Sequence, residues 1–285
     1  MQGWLVVNSF MDLEKFTHLY QMLLVAFNKR NVSLTIKKAQ DISLEVNSVI
    51  KDQPDFAIFW DKDIYLAERL EKQGIRLFNS RHAINLCDNK ILMYQMLSYQ
   101  GINIPRTFIA PKTFEGLNYK NRDFIEGVIK EIGFPLVVKE AYGSFGEQVY
   151  LAHNKEELNH LIDKIGYKDF LIQEYIVESK GKDVRINVVG DQAIVSMLRE
   201  NKEDFRSNIS SGGSGQKYEP DASFISLAIK ASKALGLDFA GVDVLFGKDW
   251  PIICEVNSNP QFASTLKYTG VNLADYIADY IIKSL

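Results

Sequence analysis

The chain has 285 residues, room for two or three small domains, and its 46% apolar content with 12% aromatics is ample for buried cores. Its 33 basic residues against 36 acidic ones give a net charge of -3, which lacks the basic excess or stripe of a general nucleic-acid binder. Two cysteines, Cys87 and Cys254, make neither a disulfide framework nor a zinc motif, and no apolar run approaches the roughly 18 residues of a membrane span.

The opening Met1-Gln2-Gly3-Trp4-Leu5-Val6-Val7-Asn8 lacks a basic leader and a small-residue cleavage site. It reads as a first strand, and a cytoplasmic location is the expectation. Asp12 opens a helix that places Leu13, Phe16, Tyr20, Leu23, Leu24 and Phe27 at three- and four-residue steps. Residues 32–36, 56–60 and 75–78 are further expected strands, with a helix over 64–72. Alternation of this kind predicts a small doubly wound parallel sheet. Asp88 is the expected cap of a helix carrying Ile91, Leu92, Met96 and Leu97, ended by Gly101 and followed by Pro105.

Beyond that helix, strands are expected at 136–140, 148–152 and 170–175, with a helix over 155–165. A hairpin over 184–189 and 192–197 turns at Gly190-Asp191. A helix over 223–235 stops at Gly236, strands follow at 239–246 and 252–257, and an amphipathic helix closes the chain. The fold class expected is therefore α/β followed by α+β, divided at 1–87, 88–175 and 176–285.

Chemistry-bearing residues recur along this frame. Glu255 and Asn257 are two apart on one strand and share a face, and a turn at 247–251 would set Asp243 opposite Glu255. Three oxygen-bearing side chains within apolar strands suit magnesium. Lys139 ends an apolar strand and can serve as a point charge for phosphate. The Gly143-Ser144-Phe145-Gly146 turn after it allows backbone N–H groups close to phosphate oxygens. Gln173-Glu174-Tyr175-Ile176 is a strand edge able to meet an adenine, with Asp183 beyond it for ribose hydroxyls and Arg185 close behind. Arg199 precedes Arg206 and Asn208, which could meet phosphates or a carboxylate ahead of the glycine-rich Ser210-Ser211-Gly212-Gly213-Ser214-Gly215, a candidate mobile cover. Each signal alone is common in ordinary folds. His18, His82, His153 and His160 show no zinc spacing.

The order and spacing of Asp88-Asn89-Lys90, Lys139, the Gly-Ser loop, Gln-Glu-Tyr-Ile, Asp-Val-Arg, Arg206-Ser-Asn208, Asp243 and Glu255-Val-Asn257 resemble the ATP-grasp superfamily. The RimK-like branch, with its α-L-glutamate ligases and amino-group carrier-protein ligases, is the nearer likeness, over residues 85–280. The resemblance implies an ATP-grasp fold, a parallel N-terminal domain followed by two α+β subdomains that clamp ATP. Lys90 and Lys139 would hold phosphates, with Ser144 and Gly146 in the loop that closes over them. Gln173, Glu174, Tyr175 and Ile176 would form the adenine hinge, Glu174 and Ile176 through their backbones. Asp183 would bind ribose and Asn208 the phosphate end. Asp243, Glu255 and Asn257 would bind two magnesium or manganese ions, with Arg199 and Arg206 near an acyl phosphate.

The activity implied is an ADP-forming carboxylate–amine ligase, with a D-alanine–D-alanine-type ligase and a non-catalytic nucleotide-binding regulatory module as alternatives. Its partners would be a carboxylate and an amino acid or other amine, a peptide or carrier-protein acceptor and a homo-oligomer being left open, with no nucleic acid and no membrane. After Asn257 the chain continues Ser258-Asn259-Pro260-Gln261, where ribosomal-protein-modifying members usually carry a Pro-Gly stretch. Substrate identity is the property this departure puts in question. The missing G-x-x-x-x-G-K-[ST] excludes a P-loop enzyme, and no G-x-G-x-x-G follows the first strand.

Overall fold

The computed structural model describes all residues except 12, 43, 44, 210 and 211, so the expected start of the first helix at Asp12 and the Ser210-Ser211 pair lie outside the described residues. The N-terminal third is β1 (Gln2–Val7), α1 (Glu14–Asn28), β2 (Ser33–Lys38), β3 (Phe56–Trp60), α2 (Ile64–Lys72) and β4 (Leu77–Phe78). These four strands form one parallel sheet in the order β2-β1-β3-β4. Strand period sorts its core: Leu5, Val7, Phe56, Ile58 and Trp60 pack on the α1 side, whereas Val6, Ala57 and Phe59 pack with Leu66 and Leu70 of α2 on the other. Helices on both faces explain why β3 is buried throughout.

Two helices follow, α3 (Arg81–Asp88) and α4 (Lys90–Tyr99). Asp88, expected as a cap, is instead the last residue of α3. Asn89 does the capping, its side chain accepting from the N–H groups of Ile91 and Leu92. Either short polar residue satisfies the sequence rule, and the break between the two helices selects the second.

The middle of the chain holds β5 (Thr107–Ile109), α5 (Asp123–Ile132), β6 (Leu136–Glu140), β7 (Val149–Ala152), α6 (Lys155–Ile165) and β8 (Phe170–Glu174). Its strands make an antiparallel sheet in the order β5-β8-β6-β7. Leu136, Val138, Phe170 and Ile172 face α5 and α6. Val137, Lys139 and Gln173 alternate to the opposite face, which fronts a cleft.

The last sheet comprises β9 (Lys182–Val189), β10 (Gln192–Glu200), β11 (Ser214–Lys217), β12 (Phe239–Leu245) and β13 (Ile252–Asn257), with α7 (Ala222–Ala234) between β11 and β12. It is antiparallel, in the order β11-β10-β9-β12-β13. Val184, Ile186, Val188, Val242 and Val244 bury against α7 and α4, leaving Asp183, Arg199, Asp243 and Glu255 for the cleft, while Val189 and Phe239 at the other end of the same face join the core of the first sheet. The chain ends in α8 (Ala263–Thr269) and α9 (Leu273–Ser284). Helix α9 returns to the first sheet, its Ile277 and Ile281 entering the core beneath α1, and Arg30 joins Asp275 and Asp279 across that contact.

Candidate active site

The odd-numbered face of the last sheet builds one wall of the cleft through its register. Asp183 and Arg185 lie two apart on β9. Arg199 of β10 sits opposite Asp183, and Asp243 of β12 sits opposite Arg185. Glu255 of β13 is opposite Asp243, as the turn-centred register predicts. Asp183 grips Arg199 at both carboxylate oxygens, 2.7 Å from Nε and 2.5 Å from Nη2. Asp243 accepts from Arg185 Nε and, at 2.8 Å, from Nη2, and lies 3.0 Å from Arg199. All four side chains are buried.

Burial would push the Asp243 carboxyl up, but the guanidiniums of Arg185 and Arg199 hold it below the usual carboxylate range. For Arg199, burial opposes the charge, and Asp183 and Asp243 outweigh it and raise its pKa. Arg185 is the partner that motif order alone understated. Its spacing of two from Asp183 was the available signal, because that spacing puts both on one strand face.

The opposite wall carries Lys139, and α4 brings Lys90 in beside Glu255. Lys90, the first residue of α4, is buried, donates to Gly143 O at 3.0 Å and stands 3.5 Å from Glu255. Lys139 on β6 donates to Tyr94 Oη at 2.8 Å, and that hydroxyl donates to the Cys254 carbonyl. Burial works against the Lys139 ammonium, yet the electrostatic pull of Tyr94, Cys254 and Glu255, with the hydrogen bond to Tyr94, leaves its pKa raised. Burial pushes the Tyr94 hydroxyl up to about 12. Tyr94 therefore tethers a charged lysine, a role with no motif to announce it.

The loop after β6 spans both walls. Gly146 takes a φ of 77° and Phe145 one of 59°. Arg206 donates to Gly146 O at 2.5 Å and is itself held by Asp204. Ser144 Oγ receives Lys62 Nζ at 3.1 Å. A Cβ on Gly146 would lie 3.1 Å from Asn208 Oδ1, so the loop and the Arg206–Asn208 segment are in close apposition.

At the hinge, the Glu174 N–H donates to Arg106 O at 3.1 Å, and its carboxylate accepts from the Arg106 N–H. That backbone donor is therefore engaged between β5 and β8. The Ile176 carbonyl accepts from the Ser179 N–H, Gln173 donates to Thr107 Oγ1, and the Tyr175 ring meets Phe205.

The expected residues gather at this one cleft, with a single exception. Asn257 lies instead in an adjoining cavity of about 430 Å³, its amide donating to Gly241 O at 3.3 Å. Five residues, Gly143, Ser144, Arg199, Asn208 and Glu255, border both spaces. The glycine-rich stretch is not wholly a loop, since its last two residues begin β11, which pairs with β10.

As a cation site, Asp243, Glu255 and Asn257 supply the hard oxygen donors that a divalent ion of the magnesium class takes. The carboxylates are adjacent across the strands, and the Asn257 carbonyl oxygen is left for a ligand while its amide nitrogen binds Gly241. The donor chemistry fits, although Asp243 here is occupied by arginines. No group of three His, Cys, Asp or Glu side chains able to hold a metal occurs among the described residues. The expected trio would escape such a group, because its third member is an asparagine. Among the same residues no helix is long and apolar enough to cross a membrane.

The RimK-like ATP-grasp domain family matches residues 87–281. An uncharacterised protein of Mycoplasma pneumoniae is 38% identical over 221 residues, 76% of each chain. A probable alpha-L-glutamate ligase of Vibrio parahaemolyticus is 36% identical over 223 residues, 77% of this chain and 71% of its own length. In three dimensions, a RimK-domain ATP-grasp protein of Sphaerobacter thermophilus superposes with a TM-score of 0.77 over 98% of this chain and 99% of its own, at 20% identity. Shared motif order, fold and sequence agree: the chain belongs to the RimK-like ATP-grasp family and is an ADP-forming carboxylate–amine ligase.

Proposed function

We propose that this ligase joins a carboxylate to the amino group of an amino acid of the glutamate type by way of an acyl phosphate. The observation that carries the reading is the shared border of the two cavities. A nucleotide in the cleft would present its terminal phosphate where Ser144, Arg199, Asn208 and Glu255 also face the second chamber. A carboxylate is a poor electrophile, and phosphorylation gives it a leaving group; an amine then displaces phosphate. No protein nucleophile is needed, so catalysis consists of positioning and charge stabilisation.

Lys90 and Lys139 balance phosphate charge, Arg206 and Asn208 meet the phosphate end, and the Gln173–Ile176 segment at the end of β8 receives the adenine. Asp183 orients Arg199 through both of its carboxylate oxygens, and as a lining residue of the cleft it is the acid assigned to the ribose. Asp243, Glu255 and Asn257 would hold magnesium or manganese, which would supply neutralisation of phosphate charge. The name of the Vibrio relative supports glutamate as the amine.

The test pairs each of the twenty amino acids with candidate carboxylates, peptides and carrier proteins, and measures ADP. With a productive carboxylate and no amino acid, added hydroxylamine should intercept the acyl phosphate and give hydroxamate in proportion to ADP. ADP that appears with neither hydroxamate nor amide product would defeat the reading.

A further inference from the structure

The second cavity has a corner that the nucleotide chemistry leaves unused. It lies beyond the carboxyl ends of β1 and β3, where Asn8 and Asp61 follow their strands. In the order β2-β1-β3-β4 the chain runs outward in opposite directions from this pair of strands. That reversal opens the crevice in which open α/β sheets bind ligands. Asp61 is only 6% exposed. Its Oδ1 accepts from Asn8 Nδ2 at 3.2 Å and from the Lys62 N–H at 2.6 Å, whereas its Oδ2 is buried with no partner. Lys62 turns its ammonium to Asp88 and Ser144, and that of Lys15 stands over the Phe145 ring.

The segment after β13 meets Asp61 here. Asn259 donates its amide to the Asp61 carbonyl at 3.1 Å, and its Oδ1 is buried and unpaired. Gln261 accepts the Ala263 N–H at 3.4 Å through Oε1, which leaves its buried Nε2 unpaired. All three residues line the cavity, with Tyr20 and Trp60 beside them. Buried polar atoms without partners are rare in native proteins and call for an explanation. Two unpaired acceptors, one of them a carboxylate, ask for a cationic donor, and the unpaired amide asks for an anionic acceptor.

We propose that Asp61, Asn259 and Gln261 form the α-amino-acid subsite for the amine substrate, its ammonium on Asp61 and Asn259 and its α-carboxylate on Gln261. The inference rests on the reading that the amine is an amino acid, and it turns the Ser258-Asn259-Pro260-Gln261 departure into a specificity element. A simple alkylamine would leave Gln261 unsatisfied.

The experiment measures KM for the amino acid that gives ADP in the pair screen, L-glutamate first, together with KM for ATP. Asp61→Asn keeps the shape and removes the charge, so KM for the amino acid should rise about 10- to 100-fold while KM for ATP stays within about twofold. Gln261→Glu keeps the acceptor for Ala263 and sets a negative charge against the α-carboxylate, and should act in the same direction. A decarboxylated probe, 4-aminobutyrate, should bind wild type poorly and be indifferent to Gln261→Glu. Unchanged amino-acid KM in both variants, or equal rises for amino acid and ATP, would overturn the subsite and leave the ligase reading intact. Failure of every amino acid to support ADP release in wild type would remove both.

Discussion

Glu255 is the residue on which the two cavities and both walls converge. It faces Asp243 across the strands, stands 3.5 Å from Lys90 and borders both the cleft and the second chamber. Its side chain is about one-third exposed, at 32%, and Lys90 keeps the Gly143 carbonyl if the ion pair is lost. Glu255→Gln should therefore fold normally and lose about 1000-fold in turnover, roughly 4 kcal/mol of transition-state stabilisation. A loss of only a few-fold, measured as ADP release at saturating substrates, would reduce Glu255 to a solvated strand acid. The sequence made such positions visible through short motifs in a fixed order. It did not show their partners, because Asp183–Arg199 and Arg185–Asp243 depend on strand register. Nor could it show Tyr94 or the unpaired atoms of Asp61 and Gln261, whose meaning lies in what surrounds them.

At the scale of elements, periodicity carried most of the long helices and the apolar strands, with ends displaced by up to three residues, but it missed the ten-residue amphipathic α5. Short or polar elements left no such trace. Strand β11 reads Ser-Gly-Gln-Lys, with no apolar residue to mark it, and exists because β10 offers an edge. Helix α3 is hidden by its junction with α4, where Asn89 ends one helix and caps the next. The approach to β11 is also tied down at Gly213. The Gly213 N–H donates to Asn208 O at 3.2 Å, and a Cβ there would lie 2.6 Å from Ser207 O and 2.9 Å from Asn208 O. Both are backbone atoms, so they cannot swing aside. Gly213→Ala should strain the segment by about 1–3 kcal/mol and shift Asn208 away from Gly146 and its loop. The expected result is a KM for ATP raised about tenfold with a small change in melting temperature. An unchanged KM would show that the segment's position is immaterial to nucleotide binding.

Across the whole molecule, the first and last sheets are joined into one body. Asn79 donates to Phe239 O and Ser258 O, α9 packs under α1, and Arg30 clamps Asp275 and Asp279. The middle sheet touches that body through groups at the cleft itself. The Lys90 N–H donates to Ala141 O at 2.8 Å, Lys139 meets Tyr94, Lys62 meets Ser144, and Arg206 meets Gly146. A nucleotide with its metal would add bonds across this same seam, between the Lys139 wall and the Asp243–Glu255 wall. Binding should therefore stabilise the entire chain, and the effect should depend on the metal, since ATP alone brings uncompensated phosphate charge toward two carboxylates. At ligand about 100 times its dissociation constant the linkage gives about 2.7 kcal/mol, a melting shift of several degrees for a chain of this size. ATP with a chelator should give much less, and Glu255→Gln should shrink the difference between the two conditions. Equal shifts with and without divalent metal would remove Asp243, Glu255 and Asn257 from nucleotide binding, and no shift at millimolar magnesium and ATP would contradict the nucleotide assignment of the cleft.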